Sequence, residues 1–231
     1  MYVRRKSTNP WRVVLVFLLV LAVIVIWAAT LENGDPAKST LSTAATGLRS
    51  VQAYFPAKVG MEWHYSGDGA EYADFSRRIT AAAGDLVLVE DVTTATTVGA
   101  VYRVLPERAV LLTSVEEYSP EEHDLLQEVD GSAAAQRTPL QGPPIVGTRW
   151  EDHGVSREIT AHLAELAVPA GTFYDVLEVK SISKEPDANY ELTEYYAVNV
   201  GLIRRDFVSR EGGASVTVSS SLQRYGVNQE H

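Results

Sequence analysis

The sequence predicts a mainly β protein, in which one N-terminal transmembrane helix precedes a single antiparallel β-sheet domain. The first observation is a long apolar run near the N-terminus that contains no charged side chain. The second is a series of short runs rich in Val, Tyr, Thr and Leu, separated by Gly, Pro, Asp and Asn. Alternation of apolar and polar residues in such runs is typical of antiparallel strands with one face on a core.

The segment 11–31 is the predicted membrane anchor. Its stretch from Val13 to Ala29 has no strongly polar side chain and is close to the shortest run that crosses a hydrocarbon core of roughly 30 Å. The residues before it include basic but no acidic side chains, so the tail 1–10 is predicted in the cytoplasm and the rest on the extracytoplasmic side of the cell membrane. Trp11 and Trp27 lie near the two ends, where interfacial aromatic rings prefer to sit. A cleaved signal peptide is the alternative, although the run is longer than a usual signal core.

Charge and cysteine content exclude several classes of function. The chain has 20 basic and 30 acidic side chains, a formal net charge of -10. Four of the basic groups and none of the acidic ones precede residue 32, so the remainder carries a formal charge of -14. An acidic exterior argues against nucleic acid and anionic lipid surfaces as partners. The absence of cysteine excludes disulfides, thiol catalysis, thiolate metal sites and a lipidated Cys.

Composition divides the rest of the chain into a flexible spacer (32–53), an extracytoplasmic β domain (54–226) and a short tail (227–231). The spacer is rich in Ser, Thr, Ala and Gly and lacks an apolar period. A helix is predicted at Pro120–Val129, and 130–144, with its Gly and Pro residues, is predicted as a loop. The predicted strands are Met61–Ser66, Tyr72–Ala81, Leu86–Thr94, Ala100–Leu105, Ala109–Tyr118, Val155–Leu166, Thr172–Ile182, Glu191–Val198, Gly201–Arg210 and Ser215–Gln223.

One predicted strand contains a residue that the pattern does not explain. In the strand from Val155, the residues Ile159 and Ala161 continue the apolar face that Val155 begins. Arg157 lies on the same face and interrupts it. A charged residue among apolar neighbours is unexpected at a position that alternation assigns to the core.

The sequence also contains an internal echo. The pattern Pro56-x-x-Val59-Gly60-x-x-Trp63-x-x-x-Gly67 reappears as Pro143-x-x-Val146-Gly147-x-x-Trp150-x-x-x-Gly154. Each copy is followed by a predicted strand that contains Ile-Thr, at Ile79-Thr80 and at Ile159-Thr160. We interpret the echo as a pseudo-repeat, in which a turn ending in Gly begins a strand whose Trp packs across the sheet. Two copies are too few for a solenoid.

Several short motifs resemble those of a known family. They are Tyr54-Phe55-Pro56 with Val59-Gly60-x-x-Trp63-x-Tyr65, then Val168-Pro169-Ala170-Gly171-Thr172-Phe173, then Tyr195-Tyr196-Ala197-x-x-Val200-Gly201-Leu202-Ile203, and Leu222-x-x-Tyr225. Together they look like uncharacterised bacterial envelope proteins of the TapB-like and DUF3108-like type. The resemblance implies a curved antiparallel sheet, a half-barrel akin to lipoprotein carriers such as LolA, and it implies no catalytic residue or ligand. Asn199 departs from the family pattern, which has Gly before Val-Gly.

No sequence motif indicates an active site, a metal site or a cofactor. The chain has no GxSxG, HExxH, P-loop or GxGxxG, and its five histidines are not spaced to share one helix face. The acidic run 116–130 lacks the ligand spacing of an EF-hand and is interpreted as a solvated surface. A hydrolase that uses scattered carboxylates remains the enzyme alternative.

Aromatic residues occur in nearly all predicted strands, and most of them should be core. If the sheet curls without a covering helix, some would line an apolar groove suited to an acyl chain, a hydrophobic peptide or a partner strand. The candidate groove residues are Trp63, Tyr65, Trp150, Phe173 and Tyr196. The predicted function is therefore a membrane-anchored, non-catalytic binding module for a lipid, lipoprotein or envelope polymer. An accessory subunit of an envelope protein complex is the alternative.

Overall fold

The computed structural model describes residues 49–129, 136–185, 188–211 and 214–227. In these ranges the chain forms one antiparallel sheet with 3-10 turns at Val51–Ala53 and Glu71–Ala73 and one short helix, α1 (Leu125–Glu128). The mainly β, antiparallel prediction is confirmed. The strands are β1 (Met61–Asp68), β2 (Phe75–Ala83), β3 (Leu86–Val92), β4 (Thr97–Val104), β5 (Arg108–Val115), β6 (Arg137–Gln141), β7 (Arg149–Asp152), β8 (Val155–Val168), β9 (Gly171–Glu185), β10 (Ala188–Ala197), β11 (Gly201–Glu211) and β12 (Ala214–Val227).

Twelve strands make one sheet in the order β6-β5-β4-β3-β2-β1-β12-β11-β10-β9-β8-β7. Strands that follow each other in sequence are neighbours, except β6 and β7, which stand at opposite ends of this order. The first and last strands, β1 and β12, pair antiparallel. Two six-strand meanders, β1–β6 and β7–β12, are therefore joined through the first and last strands. The sheet has two edges, β6 and β7.

The two edges lie next to each other and are tied by side chains rather than by a strand ladder. The Trp150 indole N–H donates to the Thr138 carbonyl oxygen at 2.7 Å. The backbone N–H of Thr138 donates to the Asp152 carboxylate. The sheet is thus nearly closed, which corrects the more open predicted half-barrel. Closure follows because the right-handed twist of a twelve-stranded sheet, joined in its middle, brings the outer strands together.

The edge strands β6 and β7 are not among the predicted strands, and β6 lies in the predicted loop 130–144. Pro139 favours a loop prediction for this segment, since proline cannot donate to a ladder. An edge strand tolerates proline because its outer side has no ladder to complete. The predicted helix is also shorter than expected: Asp124 accepts the N–H of Gln127 as its cap, and the helix begins at Leu125.

The two turns of the internal echo are built in the same way. The N–H of Gly60 donates to Ile79 O and the N–H of Gly147 donates to Ile159 O, both at 2.9 Å. The two glycines have φ angles of +85° and +91°, a region that favours glycine. The strand register also shifts directly after each isoleucine, so that the same Ile-Thr-Ala sequence forms a bulge twice.

The segment 49–55 covers one end of the sheet interior, which we call the near end; the opposite end is the far end. Val51 N–H donates to Pro106 O at 2.8 Å, and Asn199 N–H donates to Ala53 O at 2.6 Å. Residues 51–53 fall in the predicted spacer, yet Val51 is buried in the core, as is Tyr54, the first residue of the predicted β domain. Asn199 has φ +60°, which asparagine tolerates and which accounts for its replacing the Gly expected there.

A second, smaller core lies on the outer face of β3 and β4. It consists of Leu88, Val101, Tyr118 and Leu125, so the segment that contains α1 packs on the outside of the sheet. Gly99 permits this contact, because a Cβ there would lie 2.5 Å from the Tyr118 ring.

The predicted anchor 11–31, its cytoplasmic tail 1–10 and the spacer up to residue 48 lie outside the described residues, as do residues 228–231 of the predicted tail. In the ranges that are described, no helix is both long and apolar enough to cross a membrane.

The glycine of the second turn offers a clean stability test. We expect Gly147→Ala to lower the free energy of unfolding by about 1–2 kcal/mol, because a Cβ is strained at positive φ. A Cβ on Gly147 would meet nothing within 4 Å, so the loss reports backbone strain alone. Gly226→Ala is the matched control: it too has open space, but its φ is not positive, and no loss is expected. Equal urea midpoints for both variants would contradict the assignment.

Candidate functional site

The five aromatic residues predicted to line a groove are all buried in the main core: Trp63, Tyr65, Trp150, Phe173 and Tyr196. The polar atoms of three of them are bound by backbone carbonyls. Trp63 donates to Val200 O at 2.7 Å, Tyr65 to Leu202 O at 2.8 Å, and Trp150 to Thr138 O. These side chains fill part of the interior of the sheet. Ligand binding by them stays a prediction.

The same inner face carries four arginines: Arg77, Arg137, Arg157 and Arg205. The strand ladders place them there. Arg77 lies opposite Trp63, and Arg157 lies opposite Trp150, so the two equivalent tryptophans each face an arginine. Directly opposite residues in a ladder point to the same face of a sheet, and the tryptophans point inward. Arg157 is therefore explained as a member of this group.

The strand ladders also place the other two arginines on the inner face. Arg137 lies opposite Leu111, which belongs to the main core, and Arg205 lies opposite Glu194 and Ser220. Arg137 begins β6 at the far end of the sheet. The arginines thus occupy the middle and far part of the interior, beyond the apolar near end that Val51 and Tyr54 cover.

Three carboxylates, Asp91, Asp152 and Glu194, lie among the arginines. Arg77 forms a two-point ion pair with Asp91, with both N–O distances at 2.7 Å. Arg157 binds Asp152, the carboxylate that also accepts the Thr138 N–H at the seam. Glu194 is buried and is electrostatically coupled to Arg137, Arg157 and Arg205. Four guanidinium groups and three carboxylates leave the cluster with a formal charge of +1.

Aromatic groups complete the surroundings of the cluster. The Arg205 guanidinium lies 4.3 Å from the centre of the Phe75 ring, a cation–π contact. Tyr102 and Tyr196 are electrostatic neighbours of Arg137, and Glu194 is an electrostatic neighbour of Tyr196. Burial raises the pKa of Tyr196 well above its ordinary value, and Glu194 raises it further, so this hydroxyl remains a neutral donor.

The interior opposes charge on some arginines. Burial lowers the pKa of Arg205 and of Arg157, although Asp152 partly offsets the effect at Arg157. Burial also opposes the charge of Arg77, but the Asp91 carboxylate more than compensates, so the pKa of Arg77 is raised. Burying a guanidinium without a full complement of partners costs several kcal/mol. An apolar core would avoid that cost, so this cluster is not explained by stability.

Three buried donors of the cluster have no hydrogen-bond partner in the described part of the chain. They are Arg137 Nε, Ser181 Oγ and Ser220 Oγ. Ser181 lies opposite Arg157, and Ser220 lies opposite Arg205. Buried polar atoms of native proteins are nearly always satisfied by protein, water or a ligand. All three can donate, which suits an acceptor-rich group.

Water-sized molecules reach the cluster at Arg77 and Asp91. The side chains of Arg77 and Asp91 remain 16% and 29% exposed, although they lie on the inner face of a nearly closed sheet. Access and surplus positive charge together favour an anion over a neutral ligand.

Three of the four arginines share a local sequence pattern that indicates a core face, although the sequence analysis notes it at Arg157 alone. Arg77, Arg157 and Arg205 each have an apolar residue two positions before and two positions after. In a strand those neighbours share the face of the arginine, so the face is a core face. Arg137 lacks this signal, because the residue two positions after it is Pro139, which favours a loop.

A separate polar cluster lies at a surface depression of about 420 Å³ that is lined by residues of β8 and β9. Asp175, with φ +59°, accepts from the Tyr54 hydroxyl at 3.1 Å and contacts His162 and Arg49. Burial raises the pKa of Asp175, but bonds from His162 and Tyr54 and the charge of Arg49 outweigh it, so the pKa is lowered. This cluster ties the segment 49–54 to the β8–β9 hairpin.

No family model and no curated protein matches the chain. Among solved structures, a Bacteroides fragilis protein described as exported, with a YmcC-like fold, is similar with a TM-score of 0.42 and 14% identity, over 75% of this chain and 98% of that chain. A Parabacteroides distasonis protein described as a lipoprotein is similar with a TM-score of 0.38 and 12% identity, over 78% of this chain and 100% of that chain. The TapB-like and DUF3108-like resemblance stays a prediction.

The lowered pKa of Asp175 predicts a pH-dependent contribution to stability. A group whose pKa is lower in the folded state stabilises fully above its unfolded pKa, which is 3.8 for this carboxyl, and loses that effect as the pH falls below it. We therefore expect Asp175→Asn, which keeps the shape and tolerates positive φ, to lower the free energy of unfolding at pH 7. The deficit should shrink below pH 3.8.

Urea unfolding of the wild type and Asp175→Asn from neutral to acid pH measures this difference. The exposed Glu107→Gln is the matched carboxyl-to-amide control, and its unfolding curve should follow the wild type. A deficit that is the same at every pH would show that the ionised carboxylate is not what stabilises the contact.

Proposed function

We propose that this chain is a non-catalytic, extracytoplasmic binding module of a cell envelope, tethered to the membrane by the apolar segment 11–31. Its site is the interior arginine cluster, and its ligand carries an oxyanion, a phosphate or carboxylate group. The observation that carries the proposal is the set of unpartnered buried donors, Arg137 Nε, Ser181 Oγ and Ser220 Oγ, in a cluster with a surplus guanidinium.

The chemistry of the cluster fits this ligand class. Guanidinium groups match carboxylate and phosphate with two parallel hydrogen bonds, and such bonds strengthen in a poorly hydrated interior. Arg137 is the best placed, because among its main electrostatic neighbours in the described ranges the carboxylate is Glu194, which is shared with Arg157 and Arg205. An anion would satisfy the free donors and neutralise the surplus charge in one step.

Under this proposal, the ligands that the sequence predicts, a lipid, a lipoprotein or an envelope polymer, are narrowed to those that present an anionic group. The five aromatic residues already pack against each other and the strands, so they support the walls of the site rather than an acyl groove. Each interior carboxylate lies against an arginine rather than against a second carboxylate, which favours binding over the paired-carboxylate hydrolase alternative.

Arg137→Met tests the proposal in the full chain with inorganic phosphate as probe. In the wild type we expect phosphate to raise the Tm more than sodium chloride of equal ionic strength, since only a bound ligand adds stability by mass action. Arg137→Met should lose this excess. Arg149→Met is the matched control, because Arg149 is an exposed partner of Glu158 outside the cluster, and it should keep the excess.

A second readout separates a binding arginine from a structural one. Without phosphate, Arg137→Met should be as stable as the wild type or more stable, because it replaces a partly unpaired buried charge by an apolar chain of similar size. An arginine that serves only the fold should instead lose stability on replacement. Equal effects of phosphate and chloride on the wild type would reject the anion site.

A further inference from the structure

The exposed apolar residues of the described ranges are concentrated at one end of the sheet. Seven large apolar side chains are exposed in the described ranges as a whole, and of these Ile182 alone lies toward the far end. The other six lie in turns or strand ends at the near end: Val59, Ile145, Val146, Tyr174, Tyr225 and Val227. Exposed apolar residues scattered singly need no explanation, but their collection at one end does.

Two of these residues occupy equivalent positions in the repeated turns. Val59 and Val146 each precede the positive-φ glycine of their turn, and they are 47% and 55% exposed. The turns begin β1 and β7, which are separated by five strands in the sheet order. In a nearly closed sheet of twelve strands, strands that far apart lie on opposite sides. The apolar residues therefore extend around the near end rather than forming one lateral patch.

The chain outside the described residues indicates what this end faces. Residues 1–48 precede Arg49, which lies at the near end beside Asp175. Their sequence contains the apolar run 13–29, and most of the residues between that run and Arg49 belong to the predicted spacer 32–53. A flexible spacer of that length would span about 25 Å from end to end. Such a spacer would keep the near end close to the surface that the predicted anchor enters.

We propose that the near end of the β domain docks on the surface of an electrically neutral lipid bilayer, with Val59, Val146 and Tyr225 in the interfacial layer. The inference rests on the membrane-anchor part of the proposed function and goes beyond it, because a tether alone leaves the domain free. Tyrosine prefers the interfacial layer, and the exposed Lys58 and Arg224 beside these residues extend toward headgroups. The acidic exterior of the domain favours neutral over anionic lipid.

Docking in this way directs the far end, and with it the arginine site, away from the bilayer. The anion would then come from a soluble or polymeric envelope component rather than from a headgroup of the same membrane. The near end would then contact the bilayer, and the far end would bind the anion.

Single-cysteine labelling of the full chain tests the docking, since the natural sequence has no cysteine. Val146→Cys carries an environment-sensitive fluorophore, and the chain is reconstituted in phosphatidylcholine vesicles. We expect its emission to shift to shorter wavelength and to be quenched by lipids with a nitroxide on the acyl chain. Ala95→Cys, exposed in the far-end turn between β3 and β4, is the matched control and should keep its emission in water.

Flotation of the vesicles gives an independent measure of anchoring. Flotation with quenching at residue 146 alone supports docking, and Val59→Asp should then weaken the quenching without changing flotation. If the vesicles float with the chain but both labels keep their emission in water, docking is overturned and the anchor stands. The same holds if the emission at residue 146 shifts without nitroxide quenching, which is the result that contact with a second copy of the chain would give. A chain that does not float removes the anchor and the docking together, whereas the phosphate experiment still decides the arginine site.

Discussion

The ladder between β1 and β12 is the interaction on which the rest of the structure depends. It pairs residues from the two ends of the domain, Met61 with Val227 and Trp63 with Tyr225, and joins two meanders into one sheet. Once they are joined, the twist brings β6 and β7 together, and Trp150 and Asp152 tie the seam. An enclosed inner face follows, and each polar group on that face needs a hydrogen-bond partner there, which can be another side chain, a water molecule or a ligand.

That requirement makes the arginine cluster informative. A closed β interior of this size can be filled by apolar side chains, as the near end shows with Val51 and Tyr54. The far part instead holds four guanidinium groups around three carboxylates, with Glu194 shared between several of them. Breaking such a network is costly, but replacing it by apolar residues is often stabilising. Proteins commonly retain such an arrangement where function needs charge, at the expense of stability.

Much of the fold could be predicted from the sequence, and the candidate site only in part. Period-two alternation located most strands, and the echoed Trp63 and Trp150 motifs located two turns that are built alike. The edge strand at Pro139 was missed because the tolerance of an edge for proline depends on neighbours that the local sequence does not show. Arg157 was seen as an anomaly but could not be interpreted, since its carboxylate partners come from a hairpin and from β10.

The sequence by itself determined that this is a mainly β chain behind an apolar N-terminal run, because periodicity and apolar length are local properties. The tertiary structure alone decided which residues meet inside. Arg77, Arg137, Arg157 and Arg205 come from four separate strands, and only the closure of the sheet brings them to one interior. Electrostatic interactions depend on distance through space, which the order of residues along the chain does not give.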